Sequence, residues 1–205
     1  MLILQKSIKS TLSQTSLSYI DLYLVHSPYG GRKARLGTWD ALVAAQKRGL
    51  IRSLGVSNYG VHHLNELEAH IESIDAQPGS FPGTGGILSV GQWELHPWLP
   101  RDNIVNWCRE RNVAIEAYCP LVRGQRASDD VLTSLSRHHD KTWAQILLRW
   151  SLQKGFIPLP KSITPHRIEE NAELFNFELS NEEMERLEQK GAYKPCSWDP
   201  TASDD

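Results

Sequence analysis

The sequence predicts a parallel α/β fold. Three observations carry it: runs rich in β-formers alternate with helix-patterned segments, five such strand–helix pairs follow one another, and every strand-like run ends in a polar or aromatic group. Parallel neighbours need a crossover, which an intervening helix supplies. Periodicity leaves open whether the sheet is doubly wound or part of a barrel. No glycine-rich dinucleotide fingerprint follows any strand, which counts against the doubly wound nucleotide-binding form.

The elements follow in order. Tyr19 to Val25 is a strand that runs into His26-Ser27-Pro28. Trp39, Leu42, Val43 and Gln46 mark a helix face, with Thr38 as its N-cap and Gly49 as its stop. Ile51 to Val56 is the second strand, ending at Ser57-Asn58, and Val61, Leu64, Leu67 and Ile71 recur behind it at helical spacing. Two prolines and four glycines make Gln77 to Gly86 a loop. The third strand is Leu88 to Glu94, followed by a helix from about Arg101 to Arg111. Val113 to Tyr118 is the fourth strand, closed by Cys119-Pro120. A polar loop and a short helix lead to Thr142-Trp143-Ala144-Gln145, a capping box that opens a helix with Ile146, Leu147 and Trp150. Phe156 to Leu159 is the fifth strand, and Thr164-Pro165 starts the next helix. Ser180 and Glu183 form a second capping box, and a tail begins at Gly191.

Composition narrows the function classes. The chain has 205 residues, 40% hydrophobic and 22% charged, with a formal net charge of −2 and no basic block. A nucleic-acid or membrane-surface partner therefore has no electrostatic support. The start is too soon polar for a secretory signal, and no apolar run approaches a membrane span. Cys108, Cys119 and Cys196 lack metal-ligand spacing and read as reduced thiols of a cytoplasmic protein. Neither His62-His63 nor His138-His139 is expected to hold a metal. Glu94 and His96, two apart on one strand face, are expected to serve structure.

In either parallel fold, functional groups gather at the C-terminal strand ends. Those ends carry His26, Ser57-Asn58, Gln92 with Glu94-Leu95-His96-Pro97, Tyr118-Cys119-Pro120-Leu121, and Lys161-Ser162. Four segments, Asp21 through Pro28, Gly49 through Asn58, Gln92 through Pro97, and Pro160-Lys161-Ser162-Ile163-Thr164, resemble the aldo-keto reductase family in the family's own order. The likeness runs from about Leu17 to Trp198.

That resemblance implies a set of expectations. The fold would be a partial (β/α)8 TIM barrel, with the five strands as its fourth to eighth, in a single N-terminally truncated oxidoreductase domain over residues 1–205. The cofactor would be NADP (NADPH), and the reaction carbonyl reduction of an aldehyde or ketone, a small-molecule substrate. Ser57, Asn58 and Gln92 would hydrogen-bond the nicotinamide carboxamide, and Tyr118 would stack on the ring. Leu121 would lie along the pyrophosphate, where Cys119 replaces the family's serine two residues earlier. Lys161 and Arg167, with Ser162 and Thr164, would bind the 2′-phosphate, and Glu170 and Asn171 would face the adenine. His26 matches the histidine that orients the substrate carbonyl. No residue matches the proton-donating tyrosine or the lysine and aspartate that tune it, so the chain alone is expected to turn over poorly. Open sheet edges would favour self-association. A non-catalytic NADP-binding regulatory module is the alternative.

Overall fold

The structure is a computed structural model that describes residues 2–204, with side chains from Lys6 onward. Its strands are β1 (Ile20–Val25), β2 (Ile51–Ser57), β3 (Leu88–Glu94), β4 (Ala114–Tyr118) and β5 (Ile157–Pro158). Its helices are α1 (Leu2–Thr15), α2 (Gly31–Lys47), α3 (Val61–Asp75), α4 (Asp102–Glu110), α5 (Asp130–His139), α6 (Trp143–Gln153), α7 (Pro165–Glu170) and α8 (Asn181–Leu187). The strands form one five-stranded sheet in chain order, and β1–β2, β2–β3 and β4–β5 pair in parallel. This corrects the expectation of barrel strands four to eight: the observed architecture is a five-strand parallel α/β sheet. Alternating strands and helices dictate parallel pairing, but closure depends on strand number and stagger, which periodicity does not encode.

The chain divides into two compact units. The first comprises residues 2–92, Trp107–Val113 and residues 199–204. Its core is built from Trp39, Leu42 and Ala45 of α2, Ile51, Leu54 and Val56 of β2, and Leu64 and Leu67 of α3. Leu42 is fully buried, and such a side chain contributes about 2 kcal/mol. Gly55 is required where β2 passes β3, because a Cβ there would collide with the Val90 carbonyl. The Asp75 carboxylate accepts the N–H groups of Gly83 (2.8 Å) and Gly85 (2.7 Å), and Trp39 Nε1 donates to the Gly85 carbonyl at 2.8 Å. These bonds fasten the proline- and glycine-rich loop over α2 and α3.

The α2 helix starts well before the expected Thr38. Its cap is Gly30 in the left-handed region, φ 100°. The first turns are disguised by Arg35, a polar residue that is in fact buried. Its guanidinium donates to Glu66 through Nε (2.9 Å) and Nη2 (3.2 Å), and through Nη1 to the Pro28 carbonyl at 3.0 Å. The expected stop holds, since Gly49 follows the helix at φ 74°.

The second unit comprises Trp93–Asn106 and Ala114–Trp198. Trp93, Leu95, Ile115, Ala117, Leu132, Ile146 and Trp150 form its core. Both capping boxes are present. Thr142 Oγ1 accepts from the Gln145 N–H while Gln145 Oε1 accepts from the Thr142 N–H, and Ser180 with Glu183 repeats the exchange. β5 is only two residues long, because Pro158 and Pro160 lack the N–H that a longer ladder needs.

Candidate functional site

In the first unit, the ends of β1, β2 and β3 bring His26, Ser57, Asn58 and Gln92 together. Ser57 Oγ donates to the Gln92 carbonyl at 2.9 Å. Asn58 Nδ2 donates to the His26 carbonyl at 3.1 Å and to Ser57 Oγ at 3.1 Å, and the Asn58 N–H donates to the Gln92 carbonyl at 3.0 Å. Asn58 sits at φ 62°, a conformation asparagine tolerates better than most residues. Ser57 and Asn58 are buried, Gln92 half-buried and the His26 residue exposed. The three strand ends are thus laced into one rigid polar platform.

In the second unit, a cleft of about 550 Å³ is lined by Leu121, Lys161, Ser162, Arg167, Glu170 and Asn171. Six of the sequence-derived candidates therefore meet in one cavity. Thr164 stands beside them as the N-cap of α7, its N–H donating to Ser162 Oγ at 3.1 Å. Tyr118 ends β4, half-buried, with its carbonyl accepting the Leu95 N–H at 3.4 Å.

Sequence reasoning missed part of this cleft. Lys141, Thr142, Trp143 and His166 also line it. The first turn of α6 thus faces the cavity, adding backbone donors and a third cation from Lys141. The capping box located that helix start, but nothing local showed what it faces.

The loop that carries Leu121 is held in an unusual conformation. Cys119, Val122 and Arg123 have φ of 49°, 47° and 50°. For a β-branched residue such as Val122 the left-handed region costs about 1–2 kcal/mol. The Val122 N–H donates to the Cys119 carbonyl at 2.9 Å, the Gly124 N–H to the Leu121 carbonyl at 2.8 Å, and the Val122 side chain is buried. Packing holds the strain beside the cleft, as is common at binding sites.

Glu94 and His96 serve structure, as expected from their spacing. Both are fully buried, and His96 Nε2 lies 2.9 Å from Glu94 Oε1. The carboxylate also accepts the N–H groups of Cys196 (2.6 Å) and Ser197 (3.0 Å), which anchors the tail. Burial pushes its pKa up, but the bonds from His96 and Cys196 outweigh that and leave it below the ordinary carboxylate value.

Comparison with known proteins now decides the family. The aldo/keto reductase family model matches residues 3–192. The chain belongs to the aldo/keto reductase family. The match covers nearly the whole chain, which corrects the expectation that the likeness lies only with a C-terminal part of the family. An uncharacterized oxidoreductase of Schizosaccharomyces pombe is 39% identical over 197 residues, covering 96% of this chain and 66% of that protein. Glyoxal reductase of Bacillus subtilis is 40% identical over 180 residues, 88% of this chain and 60% of the relative. Among solved structures, a mutant of Gox0644 in complex with NADPH superposes with a TM-score of 0.82 at 30% identity, covering 97% of this chain and 69% of that one. The chain thus spans 60% and 66% of the lengths of these two curated relatives. Among the described residues, no helix is long and apolar enough to cross a membrane.

Proposed function

We propose that this chain binds NADPH and belongs to a cytoplasmic enzyme that reduces an aldehyde or ketone to an alcohol. The observation that carries this reading is the cleft in which Lys161 and Arg167 meet Ser162 and the first turn of α6. A 2′-phosphate is a dianion with several acceptor oxygens. A guanidinium, an ammonium and convergent hydroxyl and N–H donors suit it better than they suit the neutral hydroxyl of NADH. Thr164 adds a donor at the start of α7. Glu170 and Asn171 offer the acceptor and donor groups that an adenine edge requires. Leu121 lies along the pyrophosphate, where Cys119 gives a weaker hydrogen bond than a serine would.

The family resemblance assigns the remaining residues. Ser57, Asn58 and Gln92 hold the nicotinamide carboxamide and select which ring face is presented, and the lacing between them keeps that choice rigid. Tyr118 stacks on the ring, and His26 orients the substrate carbonyl. The bound cofactor supplies a hydride. Likeness to a glyoxal reductase supports small reactive aldehydes as substrates.

A second reading has one observation in its favour. The candidates Leu121, Lys161, Ser162, Arg167, Glu170 and Asn171 gather in one cleft, and all six are assigned to the nucleotide and none to the reacting carbonyl. A non-catalytic NADP-binding module accounts for that grouping.

Fluorescence titration with NADPH and NADH tests the cofactor assignment. Arg167→Ala is expected to weaken NADPH binding by about ten-fold or more, the scale of one charge-assisted hydrogen bond, while leaving NADH binding unchanged. Equal losses for the two cofactors would contradict it.

A further inference from the structure

The end of α5 and the start of α8 carry a group of side chains that the nucleotide reading does not use. His139 Nε2 lies 2.9 Å from Glu183 Oε1, and His138 Nδ1 lies 4.0 Å from the same oxygen. The three ligand atoms all fall within 4.8 Å of one another. We propose that His138, His139 and Glu183 form a binding site for a divalent zinc-class ion, with the remaining coordination positions open to solvent.

The geometry supports this. Zinc bonds imidazole nitrogen and carboxylate oxygen at about 2.0–2.2 Å, which places tetrahedral ligand atoms roughly 3.3 Å apart. The observed 2.9 Å and 4.0 Å bracket that separation. The His138 side chain is 72% exposed, so its ring can swing inward without disturbing the core. Glu183 and His139 are 11% and 14% exposed and give the site a partly desolvated floor.

The surroundings orient the ligands. Glu183 Oε2 accepts the Ser180 N–H at 2.8 Å, which fixes the carboxylate and turns Oε1 toward the histidines. Such an outer contact aligns a metal-binding carboxylate. Both histidines sit in the last turn of α5, where the C-terminal end of the helix dipole favours a cation. The pair alone, on a helical or loop stretch, gave no expectation of a metal; the fold brings Glu183, 44 residues on, beside it. The helix ends at Asp140, φ 51°, and the centroids of the two rings lie 4.8 Å apart.

A second cluster, Glu94, His96 and Cys196, has similar spacing. Its carboxylate oxygens already accept two backbone N–H groups and face His96, so an ion there would have to break the tail's anchor. At the α5–α8 site Glu183 Oε2 holds the Ser180 N–H, and an ion would replace only the contact between Oε1 and His139. That ion would pin the end of α5 immediately before Lys141 and Thr142, two residues of the cleft wall.

The test is titration of the full chain with Zn²⁺ by calorimetry and with Co²⁺ by visible absorption, with circular dichroism to confirm folding. One equivalent is expected to bind, with a cobalt spectrum free of a thiolate charge-transfer band. His138→Gln, His139→Gln and Glu183→Gln are each expected to weaken binding about ten-fold or more. His138→Gln changes an exposed side chain, and Glu183→Gln keeps an oxygen for the Ser180 N–H, so both variants should stay folded. Wild-type affinity in these two variants would overturn the proposal. So would a thiolate band abolished by Cys196→Ser, which would place the ion at the other cluster.

Discussion

The Glu94 carboxylate accepts the backbone N–H of Cys196 at 2.6 Å, across 102 residues of sequence. With the buried His96 on its other side, it fixes the tail against the end of β3. Because hydrogen bonding depresses its pKa, Glu94 contributes stability that is present above the ordinary value of 4.5 and is lost as pH falls through the lower folded-state value. Urea unfolding at pH 7 and at pH 4 is expected to show that Glu94→Gln costs about 3 kcal/mol at pH 7, with the gap to wild type narrowing below pH 4.5. An unchanged gap at low pH would remove the charge from the account.

His63 governs a different window. Its ring is buried, and Nδ1 accepts the Gly60 N–H at 3.0 Å, so the fold uses the neutral form. Burial, aided by His62 and Arg35, lowers its pKa from 6.5 to about 4. The unfolded chain therefore binds a proton that the folded chain excludes between those values, and stability falls as pH drops from 6.5 to about 4. His63→Gln, which keeps a side-chain acceptor, is expected to flatten the wild-type pH dependence of the urea midpoint over that range.

The pairing of Arg35 with Glu66 makes the two partners unequal as targets. Arg35 is buried and Glu66 is 19% exposed. Glu66→Ala strands a buried guanidinium and is expected to cost about 3 kcal/mol. Arg35→Met leaves only a partly hydrated carboxylate and fills much of the same volume, so its cost should be smaller. Thermal unfolding of the two variants gives the order, and the reverse order would show that the Pro28 contact outweighs the ion pair.

Much of this was legible in the sequence, for identifiable reasons. Thr142-Gln145 and Ser180-Glu183 each place a cap and its partner at fixed spacing, and both form. The start of α2 was hidden because Arg35 breaks the apolar pattern, although Glu66 and the Pro28 carbonyl allow it to be buried. The cleft residues at 161, 162 and 167 lie on one short stretch beside a recognisable motif. Lys141 and His166 reach the same cavity through tertiary placement, which no local pattern records. The barrel expectation came from the family resemblance, whereas alternation specifies neighbours and not closure.

Strand β1 is an edge of the sheet, with β2 as its neighbour. Leu22, Leu24 and Val25 on it are half-buried. An edge of this kind offers unpaired backbone groups beside apolar side chains, which invites another strand. Sedimentation velocity is expected to show concentration-dependent association of the 23.2 kDa chain at micromolar concentration. A monomer at every concentration would show that the edge is adequately covered.

The proposed preference for NADPH turns on a 2′-phosphate held by Lys161 and Arg167. Calorimetric titration with adenosine 2′,5′-bisphosphate and with ADP isolates that contact from the nicotinamide end of the cofactor. The 2′-phosphorylated nucleotide is expected to bind about ten-fold or more tightly than ADP, and Arg167→Ala to abolish the difference. Equal affinity for the two nucleotides in the unsubstituted chain would contradict it.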